Sequence, residues 1–347
     1  MKTIEQIAQF FNDSEYFTGS VKINENLAGH TTMHVGGSAK LFLEPENEEG
    51  LVFAIKELKK LYADERGLTR IFILGGGSNV IINDKGLDAV ISTRKMNSIN
   101  VFAEDSRGCT HICVSAGSSW GNVISFCKKN NLGGFESFTG LSGTVGGALF
   151  MNATCFGLSA CDNLLSVRYF DLSDGEIHKY EKVDSDWGYK KSPFQEIGAL
   201  KSSLQTKLAG VPAEGVGGNG EDIGAEGETS PFVIISAKFS VTQGFDSEKS
   251  EKCISERKEK GHFRAPSAGS AFKNDLVHGI IAGKVIDECG LKGFSVGGAQ
   301  IAPWHGNFII NPEQKATAAD IKNLSDEVKK IVFEKKGIQL ENEIIFV

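Results

Sequence analysis

The chain has 347 residues, 40% of them apolar and 23% charged, which is beyond the size at which one hydrophobic core keeps growing and predicts two or three packed domains. A net charge of −7 and a pI of about 5.6 exclude a general affinity for nucleic acid or an anionic membrane surface, so any anionic ligand must be held by local donors. The 7 cysteines include no CxxC pair, no apolar run is long enough to span a bilayer, and the polar opening lacks a signal-peptide core, so the expectation is a soluble cytoplasmic protein with reduced thiols, no metal and no obligate protein partner.

Along the chain, Lys40 to Glu44 alternates like a strand, and Arg70 to Leu74 is a short apolar run that breaks into Gly75-Gly76-Gly77-Ser78-Asn79. A further strand is expected at Ile112 to Ala116. It leads into a helix whose Trp120, Val123, Ile124 and Cys127 share one face and which Gly133-Gly134 closes. The densest glycine run follows, from Gly140 to Ala148, and residues 164–181 read as strands and turns. From Ile197 to Ser230 the composition shifts to Gly, Glu and small polar residues, the pattern of a linker or surface insertion. Ser255 to Lys260 reads as a solvated helix face. Thr317 with Asp320 marks an N-cap, after which Ile321, Leu324, Val328, Ile331 and Val332 repeat at helical spacing up to Gly337. No internal repeat is evident.

The glycines carry the first chemical signal. Closely spaced N–H groups at Gly75 to Asn79, with the Ser78 hydroxyl and the Asn79 amide, are suited to a concave anion site, although the stretch matches neither the GxGxxG nor the GK[ST] fingerprint and is equally a tight turn. A second cluster, with Gly143, Thr144, Gly146, Gly147 and Ala148, suggests a diphosphate held from both sides by backbone donors and no lysine. Pro266 to Asn274 places Ser267, Ser270, Lys273 and Asn274 within nine residues, either to orient a substrate or as a capped loop. His305 alone is more simply a satisfied structural histidine than a catalyst.

Taken in order from Leu27 onward, these segments resemble the UDP-N-acetylenolpyruvoylglucosamine reductase (UDP-N-acetylmuramate dehydrogenase) family. The matching stretches are Thr31-Thr32-Met33 with Gly36-Gly37, Leu74 to Asn79, Gly140 to Ala148 with Asn152-Ala153, Tyr189 to Phe194, Pro266 to Asn274, Ala282 to Gln300, His305 to Asn311 and Leu340 to Glu343. The resemblance implies an α+β chain, with a two-part FAD-binding module of the vanillyl-alcohol-oxidase type and a smaller α+β substrate-binding domain. The expected divisions are 1–85 with the tail 312–347 returning to it, 86–240, and 241–311. It further implies an FAD-dependent oxidoreductase of peptidoglycan precursor synthesis, in which NADPH is the electron source and the enolpyruvyl ether of UDP-N-acetylglucosamine becomes UDP-N-acetylmuramate.

By the same resemblance, Gly75, Gly76, Gly77, Ser78, Asn79, Gly143, Thr144, Gly146, Gly147 and Ala148 bind the FAD pyrophosphate. Ser270 is the proton donor, Glu343 the acidic residue near the substrate carboxylate, and Tyr189 and Asn274 contact substrate. Lys190 stands where the family usually has an arginine, keeping the charge but losing the bidentate fork. Ile345 replaces the arginine that usually follows the C-terminal acid, His34 sits where a larger basic or polar residue is common, and the chain stops at Val347, so a less rigidly held Glu343 is expected. The lack of an extra tyrosine-bearing loop between Tyr189 and Ser270 resembles the family's loop-lacking subtype. Two other readings use the same loops: an FAD oxidase acting on another sugar, and a non-catalytic UDP-sugar-binding relative.

Overall fold

The computed structural model describes residues 2–61, 71–104, 109–195 and 230–347; the Gly/Glu-rich stretch 197–230 lies outside the described residues except for Ser230. A reciprocal capping box between Thr3 and Gln6 starts helix α1 (Ile4–Asp13), which buries Ile7, Ala8 and Phe11. Strands β1 (Gly19–Asn26) and β2 (Ser38–Pro45) pair antiparallel. Helix α2 (Glu48–Leu61) follows, with Glu48 and Glu49 in its first turn and Lys59 and Lys60 in its last, charges that complement the helix dipole. Strand β3 (Ile71–Leu74) leads through the first glycine turn to the short strand β4 (Val80–Ile81).

Strand β5 (Leu87–Ser92) runs parallel to both β2 and β3, giving the sheet order β1-β2-β5-β3. This first sheet therefore extends past the division expected at residue 85. One face packs under α1 and α2, and the other closes over Leu27, Phe42, Leu74 and Val90.

The second sheet is built from β6 (Ile99–Glu104), β7 (Thr110–Ser115), β8 (Leu164–Asp171), β9 (Glu176–Glu181) and β10 (Phe232–Gln243) in the order β9-β8-β10-β7-β6, antiparallel throughout. Helix α3 (Trp120–Lys129) and the short α4 (Val145–Phe150) cover one face around the buried Trp120, Phe135, Phe138 and Phe239. Phe170, Leu172, Val233 and Ile235 on the other face join the core of the first sheet, so the two sheets share apolar burial. Helix α5 (Ser247–Glu259) is tied back to this unit: the Asp246 N–H donates to Glu136 Oε1 at 3.0 Å, and the Thr139 and Ser250 hydroxyls lie 2.8 Å apart. Its charged run is not wholly solvated, because Arg257 is buried.

The third sheet contains β11 (Ser267–Ser270), β12 (Ser295–Val296), β13 (Ala299–Ile301) and β14 (Phe308–Ile310) in the order β11-β14-β13-β12. Helix α6 (Ala282–Glu288) and helix α7 (Ala318–Lys336) share one core with it. Thr317 and Asp320 form the N-terminal capping box of α7, and Gly337 ends it in the left-handed region at φ 67°. The tail thus divides: α7 packs on the third sheet, whereas β15 (Ile345–Phe346) pairs parallel with β4 beside the first. Among the described residues, no helix is long and apolar enough to cross a membrane.

Asn307 shows how the third unit is held near its most polar loop. Its carboxamide accepts from the Phe272 N–H at 2.9 Å and donates to the Phe272 carbonyl at 2.8 Å, imitating a neighbouring strand for a fully buried residue. The adjacent His305 is a packing residue: its ring stacks on Phe308 with centroids 3.9 Å apart, its Nδ1 accepts from the Asn307 N–H, and burial lowers its pKa. Asn307→Ala strands both Phe272 groups, and urea unfolding should report a loss of about 2–3 kcal/mol. A loss under about 0.5 kcal/mol would show that Asn307 is dispensable.

Candidate active site

Two backbone turns form one wall of the site. In the first, Gly77 has φ 64°, and a Cβ there would lie 2.1 Å from the His30 carbonyl oxygen; only glycine fits. In the second, Gly143 has φ 100°, and a Cβ would lie 2.5 Å from Ser78 Oγ. The turns meet backbone to backbone: a Cβ on Gly76 would stand 2.5 Å from Gly143 Cα, and one on Gly75 would stand 2.7 Å from Thr144 Oγ1.

Among the described residues, the N–H groups of Gly75 to Asn79, Gly143 and Thr144 donate to no protein acceptor. Uncommitted N–H groups on two glycine turns, with the Ser78 and Thr144 hydroxyls beside them, fit a diphosphate. Gly146 to Ala148 behave differently. The Gly146 N–H donates to the Ala116 carbonyl at 2.8 Å, the Gly147 N–H to Thr144 Oγ1 at 3.4 Å and the Ala148 N–H to the Thr144 carbonyl at 2.9 Å. Gly146 is glycine for packing, since its Cβ would lie 2.8 Å from Ala116 Cβ.

Opposite stands a polar cluster drawn from three distant segments. Lys190 occupies the left-handed region at φ 56°, a costly conformation for a residue with a side chain. The Asn152 Nδ2 donates to the Gly188 carbonyl at 2.7 Å and the Gln195 Nε2 to the Lys190 carbonyl at 3.2 Å, holding that turn. The Lys190 ammonium pairs with Glu343 Oε1 at 2.5 Å, with both side chains nearly buried at 13% and 12% exposure. Burial raises the Glu343 pKa above the ordinary carboxylate range, against the opposing pull of the Lys190 and Lys273 charges.

Ser270 ends β11 beside this pair. The next residue, Ala271, accepts from the Glu343 N–H at 2.8 Å, Phe272 bridges to Asn342, and Lys273 forms an ion pair with Glu341. The Ser270 hydroxyl has no hydrogen-bond partner among the described residues, whereas Ser267 Oγ accepts from the Gly269 N–H at 3.5 Å. Tyr189, partly exposed, accepts from the Asn274 N–H at 3.4 Å. The Asn274 side chain accepts from the Ala282 N–H at 3.0 Å, at the head of α6.

Contrary to the looser hold expected, the Glu343 segment is bonded on both sides. Ala271 engages its N–H and Asn79 its carbonyl, while the Val347 N–H donates to the Ile81 carbonyl at 2.9 Å. Sequence reasoning also passed over Arg257 in its charged run. Its guanidinium is buried with Nε unpartnered, donates to Cys155 Sγ and lies 5.3 Å from the Phe156 ring centroid. Arg257, Lys190 and Lys260 all act electrostatically on the Cys155 thiol, the two lysines while paired with Glu343 and Glu256. The missed signal was the spacing of Cys253 and Arg257, i and i+4 on one face of α5 and both buried.

The chain matches known proteins along most of its length. Residues 39–181 match the FAD binding domain family, and residues 261–347 match the family described as UDP-N-acetylenolpyruvoylglucosamine reductase, C-terminal domain. It is 37% identical to a UDP-N-acetylenolpyruvoylglucosamine reductase of Treponema denticola, with 94% of each chain covered, and 32% identical to one of Fusobacterium nucleatum, covering 93% of this chain and 98% of the relative. The crystal structure of the enzyme of that name from Thermus caldophilus superposes with a TM-score of 0.65 at 26% identity, covering 95% of this chain and 99% of that one. Identity of 37% sustained over 94% of its length places this chain in the UDP-N-acetylenolpyruvoylglucosamine reductase family.

Proposed function

We propose that the chain reduces the enolpyruvyl ether of UDP-N-acetylglucosamine to UDP-N-acetylmuramate, with bound FAD and with NADPH as electron source. The observation that carries this reading is the convergence of the Ser270 strand, the Glu343 tail and the Lys190 turn beside two glycine turns with uncommitted N–H groups. The units around the first two sheets are assigned to FAD and the third to the sugar nucleotide.

Gly75 to Asn79, with Gly143 and Thr144, would hold the pyrophosphate of FAD through their N–H groups, while Gly146 to Ala148 fix the second turn from behind. When bound, FAD supplies a two-electron relay between the nicotinamide and the enolpyruvyl carbon C3. The chain's own residues must then stabilise negative charge spreading from C2 into the substrate carboxylate and deliver a proton to C2. Lys190 supplies the cation on the carboxylate side. Glu343, its pKa raised by burial, donates a hydrogen bond to that carboxylate when protonated. The Ser270 hydroxyl, uncommitted among the described residues, donates the proton to C2, which requires placement within about 3 Å of that carbon. Tyr189 and Asn274 border the sugar nucleotide.

Replacing Gly76 or Gly146 by Val should empty the protein of flavin through different routes. Gly76→Val separates the turns at their contact, whereas Gly146→Val pushes the second turn off Ala116. Flavin absorbance per folded protein is the readout, and full retention in both variants would remove the glycine turns from cofactor binding.

The titration of Glu343 gives a signed prediction. A neutral carboxyl is the active donor, so the substrate half-reaction should slow as pH rises through its raised pKa. Lys190→Met removes a charge that lowers this pKa, so the falling limb should move to higher pH even as the maximal rate drops by about tenfold or more. An unmoved limb with unchanged rate would exclude Lys190 from the reaction.

Ser270→Ala isolates the proton transfer. In stopped-flow measurements, bleaching of the flavin by NADPH should stay near the parent rate, while recolouring by the enolpyruvyl substrate slows roughly 100-fold. Ser267→Ala, whose hydroxyl faces the turn at Gly269, should have a much smaller effect. Parent-like recolouring in Ser270→Ala, or loss of bleaching instead, would refute the proton-donor role.

A further inference from the structure

Asn79 lies in the first glycine turn, where its residue type suggests one more donor to an anion, yet its carboxamide points elsewhere. Its Nδ2 donates to the Glu343 backbone carbonyl at 3.0 Å, and its own carbonyl accepts from the Ile345 N–H at 3.0 Å. These two bonds bracket residues 343–345 against the turn. On the other side the Glu343 N–H is held by Ala271, the residue after Ser270. The Glu343 peptide is therefore gripped from two directions, and among the described residues the Asn79 grip alone connects it to the cofactor-side turn.

The same turn also reaches the serine strand. The Thr32 N–H donates to the Gly77 carbonyl at 3.0 Å, and the Thr32 hydroxyl donates to the Ser267 carbonyl at 2.7 Å, so one residue spans from the glycine turn to the start of β11. Lys190 pairs with Glu343 through a nearly buried contact, in which a small displacement of the Glu343 backbone alters both the ion pair and the carboxyl's desolvation.

We propose that Asn79 is a positioning residue for Glu343: its side chain fixes the Glu343 peptide, and with it the carboxyl beside Lys190, and does not serve the anion site. This rests on the reading of Glu343 as a participant in the substrate half-reaction. A carboxyl working over hydrogen-bond distance loses its advantage when its backbone is free to shift by about an ångström. Loss of the Asn79 donor removes the one side-chain bond to that backbone among the described residues, and the Glu343 carbonyl is left to find water.

A double-mutant cycle on the FAD-loaded protein tests this. In the parent, Asn79→Ala should slow substrate-driven recolouring by about tenfold, whereas in a Glu343→Gln background the same substitution should cost less than about twofold, because the positioned group is already gone. An equal cost in both backgrounds would overturn the proposal, since a general structural defect is indifferent to the group at 343. Amide hydrogen exchange supplies a readout independent of turnover. Asn79→Ala should accelerate exchange at Glu343 and Ile345 while leaving Phe272, held by Asn307, at the parent rate, and unchanged exchange at Glu343 would equally overturn it. Asn79→Leu, which keeps a similar volume without a donor or a charge, carries the same comparisons if the alanine variant does not fold. If Glu343→Gln alone leaves recolouring unchanged while Asn79→Ala loosens the tail, the role given to Glu343 fails and the tether stands.

Discussion

The site depends on two polypeptide turns approaching more closely than any side chain allows. Gly76 lies against Gly143, and a single methyl group on the former would come within 2.5 Å of the latter's Cα. That contact draws together the ends of the first and second sheets and leaves N–H groups turned away from other protein partners. It explains how a chain of net charge −7 offers a place for a diphosphate without a basic patch, because the donors are backbone dipoles fixed in direction by the fold. The second turn has a division of labour within it: Gly143 and Thr144 face the cradle, whereas Gly146 to Ala148 spend their N–H groups on fastening the turn to Ala116 and on starting α4.

The polar cluster around Glu343 is assembled on a different principle. Its members come from three segments, and none of the three has a regular element pointing all its groups inward. Lys190 is carried by a strained turn supported by Asn152 and Gln195, Ser270 by the last residue of a short strand, and Glu343 by an extended tail zipped onto Ala271 and Lys273. Strain at Lys190 directs its ammonium onto the Glu343 carboxylate within a nearly buried pair. Burial and ion pairing then act on Glu343 in opposite directions, with burial prevailing, so the carboxyl stays closer to its neutral form than a surface glutamate would. The C-terminal segment brings Glu343 to the Lys190 turn: α7 packs on the third sheet, while the last strand pairs with β4 immediately after the glycine turn.

Local sequence patterns determined the elements that are self-sufficient. Helix α7 was readable from Thr317, Asp320, the apolar repeat and Gly337, because caps and periodicity act within a few residues. The strand entering Gly75, the helix beginning at Trp120 and the strands within 164–181 were readable for the same reason. Helix α1 carries the same local signals, a capping box and the spacing of Ile7, Ala8 and Phe11, within an otherwise polar opening. The order of motifs, combined with family resemblance, named Ser270, Glu343, Lys190, Tyr189 and Asn274 as one set, and their segments do meet in space.

Tertiary structure alone decided where shared residue types spend their hydrogen bonds. Asn79 looked like one more anion donor, but its side chain serves a carbonyl 264 positions later, a destination no local pattern encodes. Arg257 looked like one charge in a solvated run, yet packing of α5 buries it against Cys155 and Phe156. The placement of β5 in the first sheet follows from parallel pairing with β2 and β3 across long stretches of chain, which short-range periodicity does not specify. By itself, then, the sequence determined which residues can form turns, helix ends and polar donors. The fold decided which of those donors face the ligand and which hold the protein together, because a hydrogen bond is satisfied by whatever partner the backbone brings within about 3 Å.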